Sequence, residues 1–178
     1  NVAAINYQPA TREQTPAFYN CIIANNIIKD IDGSTGIVVQ GGPSDPTTNV
    51  IVSNNILEGT KGLIVSNING FVIVDNLVYD APGESSEDVV RLKNIVGTVI
   101  FDKLLSSGGR FGVFARDGLV DADIFLINST IKNVNGSYAS TFHNCRNVTI
   151  DNCVIGTGTG SVFDVRNIKR MVVKGNII

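Results

Sequence analysis

NVTIDNCVI, residues 147–155, is a pattern that the chain repeats along its length. Residues 49–57 read NVIVSNNIL, residues 71–79 FVIVDNLVY, residues 20–28 NCIIANNII and residues 170–178 RMVVKGNII. Two weaker copies, TVIFDKLL at 98–105 and IFLINSTI at 124–131, fill the gap. Aligned on their second residues (Cys21, Val50, Val72, Val99, Phe125, Val148 and Met171), the copies follow at intervals of 29, 22, 27, 26, 23 and 23 residues. A recurring interval of this size marks a solenoid.

Within each copy the residues are β-branched or aromatic and alternate over only a few positions, which predicts short strands. No window sustains a 3.6-residue apolar period, and the spacing of leucine-rich repeats is absent. The expected architecture is all-β: a parallel β-helix of about seven coils, each supported by its neighbours. Asn25, Asn54, Asn76 and Asn152 share one position just after the strand. Asn67, Asn94, Asn144 and Asn167 share another before it, with Asp117 as the expected equivalent. Asn tolerates the left-handed conformation of a tight bend. Stacked Asn side chains can also hydrogen-bond along the axis, as amide ladders do.

Residues 1–18 do not match the repeat and, with Pro9 and Pro16, read as a lead-in or partial coil. Residues 19–178 read as the β-helix, expected to be a piece of a longer protein or part of an assembly that supplies the caps, because solenoid ends need covers. The net charge of -2 gives no global argument for nucleic acid or an anionic membrane. No apolar run reaches membrane-spanning length. Cys145 and Cys153 flank one extended strand, too far apart to bridge, so the three cysteines are expected as free, packed thiols. The sequons at Asn128, Asn135 and Asn147 read as by-products of an Asn-rich repeat.

Each coil also carries a second strand, at 37–40, 63–66, 90–93, 113–116, 140–143 and 163–166. Its inward column is expected to be Val39, Val65, Leu92, Ala115, Phe142 and Val165. One outward column reads Val38, Ile64, Arg91, Phe114, Thr141, Asp164, and the next Gln40, Ser66, Lys93, Arg116, His143, Arg166. Lys93, Arg116, His143 and Arg166 thus form a basic ladder at about 4.8 Å steps, with Arg91 and Phe114 beside it. Stacked like charges cost about 0.9 kcal/mol per pair even at the dielectric of water. Stability gives no reason to gather them, whereas an anionic ligand does. The competing reading is a solvated face with its long side chains fanned apart.

Two further features stand out. Asp75, Asp102 and Asp151 share one position, and Asp75 and Asp102 fall on adjacent coils at about the separation of a retaining-glycosidase carboxylate pair. In the repeated strand the outward column reads Ile22, Ile51, Ile73, Ile100, Leu126, Thr149, Val172, an apolar strip that monomers seldom leave bare. Asp30-Ile-Asp32-Gly33 resembles half of a calcium loop without its later ligands, so no cofactor is expected, with calcium as the alternative that this stretch leaves open.

With the repeat and its Asn corners laid out, residues 20–178 resemble the right-handed parallel β-helix superfamily typified by pectate lyases and phage tailspikes. The resemblance implies polysaccharide as partner and an extracellular or virion-surface setting. Lyases of this kind use Arg or Lys as base, with calcium or basic residues neutralising the uronate. Tailspikes are homotrimers that bind or cleave surface polysaccharide. No full lyase motif carries over. The expectation is therefore a glycan-binding and glycan-cleaving protein acting on an acidic polysaccharide. Arg116 and His143 would be base or orienting groups, Arg91, Lys93 and Arg166 anion binders, and Phe114 a sugar platform. Asp75 and Asp102 are the alternative catalytic pair. The second expectation is a non-catalytic structural or adhesion segment of a trimeric viral or cell-surface fibre.

Overall fold

A computed structural model describes residues 3–7, 20–31, 34–42, 46–81, 88–156 and 160–178. Among them there is no helix, and every pairing between strands is parallel. The chain is a parallel β-solenoid of about six turns. Each turn visits three walls. The first wall contains Thr35–Gln40, Val113–Asp117, Tyr138–His143 and Ser161–Arg166, with Ala3–Tyr7 paired onto Thr35–Gln40 at one end. The second contains Cys21–Ala24, Thr47–Ser53, Ala122–Ile127, Asn147–Asp151 and Arg170–Lys174. Leu63–Asp75 and Val90–Asp102 run unbroken from the first wall into the second, which joins both into one 12-stranded sheet. The third wall is a narrow 6-stranded sheet that includes Ile56–Glu58 and Leu105–Gly108. Pro9, Pro16, Asp32 and Gly33 lie outside the described residues, as do residues 82–87.

The Asn positions set the bends. Asn25, Asn54, Asn76, Asn128 and Asn152 all have φ between 49° and 61°. So do Asn67, Asn94, Asn144 and Asn167 at the bend between the first two walls. For most residues this conformation costs about 1–2 kcal/mol, and Asn is among the few that visit it routinely. The side chains then join neighbouring coils. Asn76 Nδ2 donates to Asn54 Oδ1, Asn94 Nδ2 to Asn67 Oδ1, and Asn152 Nδ2 to Asn128 Oδ1, each at 2.9 Å. Inside the solenoid, buried Asn55 donates to the carbonyls of Ile23 and Ser53 and accepts from Asn26. Lys103 holds the same left-handed position with φ 55° and leans towards Asp75 and Asp102, 3.7 and 3.9 Å away.

The interior column of the second wall runs Cys21, Val50, Val72, Val99, Ile124, Val148, Met171. Phe125, expected there, is displaced by Ile124 and faces outward between Ile100 and Thr149. Leu126, expected on the outer strip, is fully buried. The true first residue of that copy is Asp123, aligned with Thr98 and Asn147. It disguises the repeat because it is charged, and it is held by Arg146 and by Asn147, whose Nδ2 donates to Oδ1 at 2.6 Å. Side chains alternate with period two, so that single-residue slip exchanges inside and outside.

On the first wall Val39, Val65, Leu92, Ala115 and Phe142 are buried as expected. Val165 is 37% exposed, because its coil has no described neighbour on one side. Cys21, Cys145 and Cys153 are free and buried, and burial pushes the Cys145 thiol up to about 12.

Val148 is sealed between Ile124 and Met171, so Val148→Asp buries an unpaired charge. It should remove on the order of 4 kcal/mol or more in urea unfolding. Val120→Asp, on an exposed side chain, should stay within about 0.5 kcal/mol of wild type.

Candidate functional site

The outer surface of the first wall holds most of the chemistry. Ile64, Arg91, Phe114, Thr141 and Asp164 stand in one register across five coils. In the next outward column Gln40, Ser66 and Lys93 align as expected. The strand Val113–Asp117 then bulges, so that Asp117 pairs with Lys93 and Arg116 is the extra residue. The bulge also moves the bend, which falls on Gly118 at φ 65° instead of Asp117. Bulges re-aim side chains in this way. Here Arg116 turns onto its neighbours: its guanidinium lies 5.3 Å from the Phe114 ring centre, and its Nε donates to His143 Nδ1 at 3.1 Å.

The ladder is not a bare stack of like charges. Arg166 forks onto Asp164, Nε to Oδ1 at 2.9 Å and a terminal nitrogen to Oδ2 at 3.2 Å. Burial alone would raise the Asp164 carboxyl, but the Arg166 fork and the close approach of the His143 imidazole outweigh it and hold it below its ordinary value. His143 is 5% exposed, and its Nε2 lies 2.9 Å from Asp164 Oδ2. The imidazole therefore sits behind Arg116, wedged between an arginine and an aspartate.

A second cluster adjoins it. Asp88, 3% exposed, accepts Arg91 Nε at 2.9 Å on one oxygen and Arg110 Nε at 3.1 Å on the other. A terminal nitrogen of each arginine adds a further contact, at 2.8 and 3.0 Å. One terminal nitrogen per guanidinium is left outside the pair. A guanidinium has five donors, so each arginine retains donors for something else. Arg91 lies 5.5 Å and Arg110 5.6 Å from the Phe114 ring centre, and Phe111 tilts against Phe114 at 5.3 Å. Three arginines thus surround one aromatic ring. Each such contact contributes about 0.5–1 kcal/mol at an exposed site.

Next to this cluster a groove of about 260 Å³ is lined by Gln40, Ile64, Ser66, Asn67, Arg91, Lys93 and Asn94. The short Ser66 lies between the longer Gln40 and Lys93, which leaves a trough one coil wide. The structure thus brings Arg91, Lys93, Phe114, Arg116, His143 and Arg166 to one face. Sequence reasoning missed Asp88, Arg110 and Phe111, which precede the strands that begin at Val90 and Val113 and so lie outside the repeat.

Asp75 and Asp102 lie on the second wall, paired in register, as expected. Lys103 reaches both, and Asp102 Oδ1 accepts from Asn128 at 2.9 Å. Lys103 offsets the mutual repulsion of the two carboxylates. Among the described residues no cluster of His, Cys, Asp and Glu could hold a metal ion. No family model, no curated protein and no solved structure matches this chain.

Because the folded Asp164 carboxyl lies below the unfolded value of about 3.9, the ionised group stabilises the fold above that value. That stability is lost as pH falls through the folded value. Acid unfolding of Asp164→Asn followed by circular dichroism should therefore show a shallower loss of stability below about pH 5. The variant should also be less stable than wild type at pH 7.

Proposed function

We propose that the first wall binds an acidic polysaccharide lengthwise along the groove and over Phe114, and that the protein cleaves that chain. The observation that carries this reading is the ring of Arg91, Arg110 and Arg116 around Phe114, with Arg91 also lining the groove. Sugar rings present an apolar face to an aromatic side chain, and uronate or sulfate groups present oxygens in the plane that a guanidinium fork matches. Among the described residues of this face Arg91, Lys93, Arg110, Arg116 and Arg166 outnumber Asp88, Asp117 and Asp164, so positive charge is left over after the internal pairing.

In this reading Arg91, Lys93 and Arg166 bind anionic groups, and Phe114 stacks on a sugar. Arg116 touches the reacting unit as base or as charge neutraliser, with His143 as its orienting group. The chemistry resembles that of the pectate lyases more than that of a carboxylate-pair hydrolase, because Lys103 already occupies the Asp75–Asp102 pair. The setting that fits such a substrate is extracellular or a virion surface.

The outer strip of the second wall favours a second reading, a segment of a trimeric fibre like the tailspikes. Ile51, Ile73, Ile100 and Phe125 stand in line and half-exposed, and Ile22 is 64% exposed. A threefold partner would cover this strip, with or without glycan chemistry on the first wall. Changing Ile73 and Ile100 to Lys should then shift the sedimentation coefficient towards that of a monomer. A wild-type protein that sediments as a monomer at high concentration rejects the fibre reading.

For the glycan reading, Arg116→Ala should weaken binding of an acidic oligosaccharide by about 1.5–3 kcal/mol in calorimetry. Binding should also weaken with added salt. Asp75→Asn should leave binding and cleavage almost unchanged. The reverse ranking would move the chemistry to the carboxylate pair, and no effect of either change in a glycan depolymerisation assay would leave the fibre segment.

A further inference from the structure

His143 is the only histidine of the chain, and its surroundings make it more than a rung of the ladder. A guanidinium has no acceptor, so the 3.1 Å bond between Arg116 Nε and His143 Nδ1 requires a lone pair on Nδ1. The single imidazole proton is then on Nε2, the nitrogen that lies 2.9 Å from Asp164 Oδ2. Charged groups reach the ring from two neighbouring coils. Arg116 comes from Val113–Asp117, and Asp164, with Arg166 forked behind it, comes from Ser161–Arg166. On its own strand His143 follows Phe142 and buried Thr141, and its backbone carbonyl accepts from the Cys145 thiol, which burial keeps protonated.

We propose that His143 is a protonation-controlled positioning residue: in its neutral form it fixes Arg116 against Phe114, and on taking up a second proton it releases Arg116. A proton added at Nδ1 removes the acceptor that Arg116 Nε–H finds among the described residues and sets two cations about 3 Å apart. Asp164 remains ionised, since its carboxyl is held below its ordinary value, and it attracts the imidazolium from the other side while still forked to Arg166. The ring therefore stays where it is and Arg116 moves. The new charge, which Asp164 offsets only in part because it is already forked to Arg166, stays buried behind Arg116 and away from the ligand face, so the loss of a fixed guanidinium decides the sign. Anion binding on this face weakens as the ring protonates.

The proposal rests on the glycan reading only for its consequence; the coupling of His143 to Arg116 stands without a ligand. Nitrogen-15 NMR of the sole imidazole, titrated with pH, tests the coupling on the whole protein. Nδ1 is expected at the shift of an unprotonated, accepting nitrogen in the neutral ring. A slowly exchanging Arg116 Nε–H resonance is expected to vanish over the same pH interval in which Nδ1 gains its proton. A neutral ring protonated on Nδ1, or an Arg116 signal indifferent to the ring's titration, overturns the proposal.

Binding of hexagalacturonate is expected to fall roughly tenfold over that interval, the worth of one hydrogen bond of about 1.4 kcal/mol. His143→Gln keeps an acceptor that does not titrate, in a column where Gln40 already stands, and should bind equally well at both ends of the range. His143→Leu should bind weakly throughout. Loss of the pH dependence in wild type while the probe still binds overturns the proposal. Failure of the probe to bind at any pH, with the Arg116 signal still coupled to the ring, sinks the glycan reading and leaves the proposal supported.

Discussion

Parallel backbone hydrogen bonding between coils puts every side chain directly above its counterpart, about 4.8 Å away. All else in this molecule follows from that register. Apolar residues facing inward become continuous columns, such as Val50, Val72 and Val99, in which each side chain is sealed by the ones above and below. The register is held at the bends, where Asn residues adopt the left-handed conformation and link amide to amide along the axis. A slip by one residue would break those links and turn a core column outward. The fold therefore depends on agreement between two weak signals, alternation along a strand and Asn at its end.

The same stacking creates a difficulty for charged residues, since like charges recur on the same face. The protein resolves it locally. Asp88 separates Arg91 from Arg110, Asp164 faces Arg166 and His143, and Lys103 stands between Asp75 and Asp102. In the first wall this pairing has a second effect. Arg91 and Arg110, which share the Asp88 carboxylate, lose freedom but retain donors, and they converge on Phe114. Rigid donors around an aromatic platform lower the entropic cost of holding a ligand. The bulge at Arg116 belongs to the same arrangement: one inserted residue takes a side chain out of the ladder and leans it across the ring.

The solenoid could be read from the sequence because its signals repeat. Six of the seven members of the second-wall column were identified, and the one error, Phe125 for Ile124, came from a copy whose first position is a charged Asp123. The faces of the first wall were legible for the same reason, so Arg91 and Phe114 could be placed side by side. What alternation cannot reveal is a partner outside the repeat. Asp88 and Arg110 meet only because two loops of different length end over the same face, and no periodicity records that. The burial of His143 was hidden likewise, since period two tells outward from inward but not whether a neighbour folds over the outer side.

The central claim is that coil stacking assembles an anion-binding aromatic platform on the first wall. A crystal structure of the protein with an acidic oligosaccharide bound tests it most directly. The account predicts a sugar ring over Phe114, its anionic group within hydrogen-bond distance of Arg91 or Arg116, and the next units running into the groove beside Lys93. Density for the oligosaccharide against Asp75 and Asp102, with the arginine face empty, would contradict it.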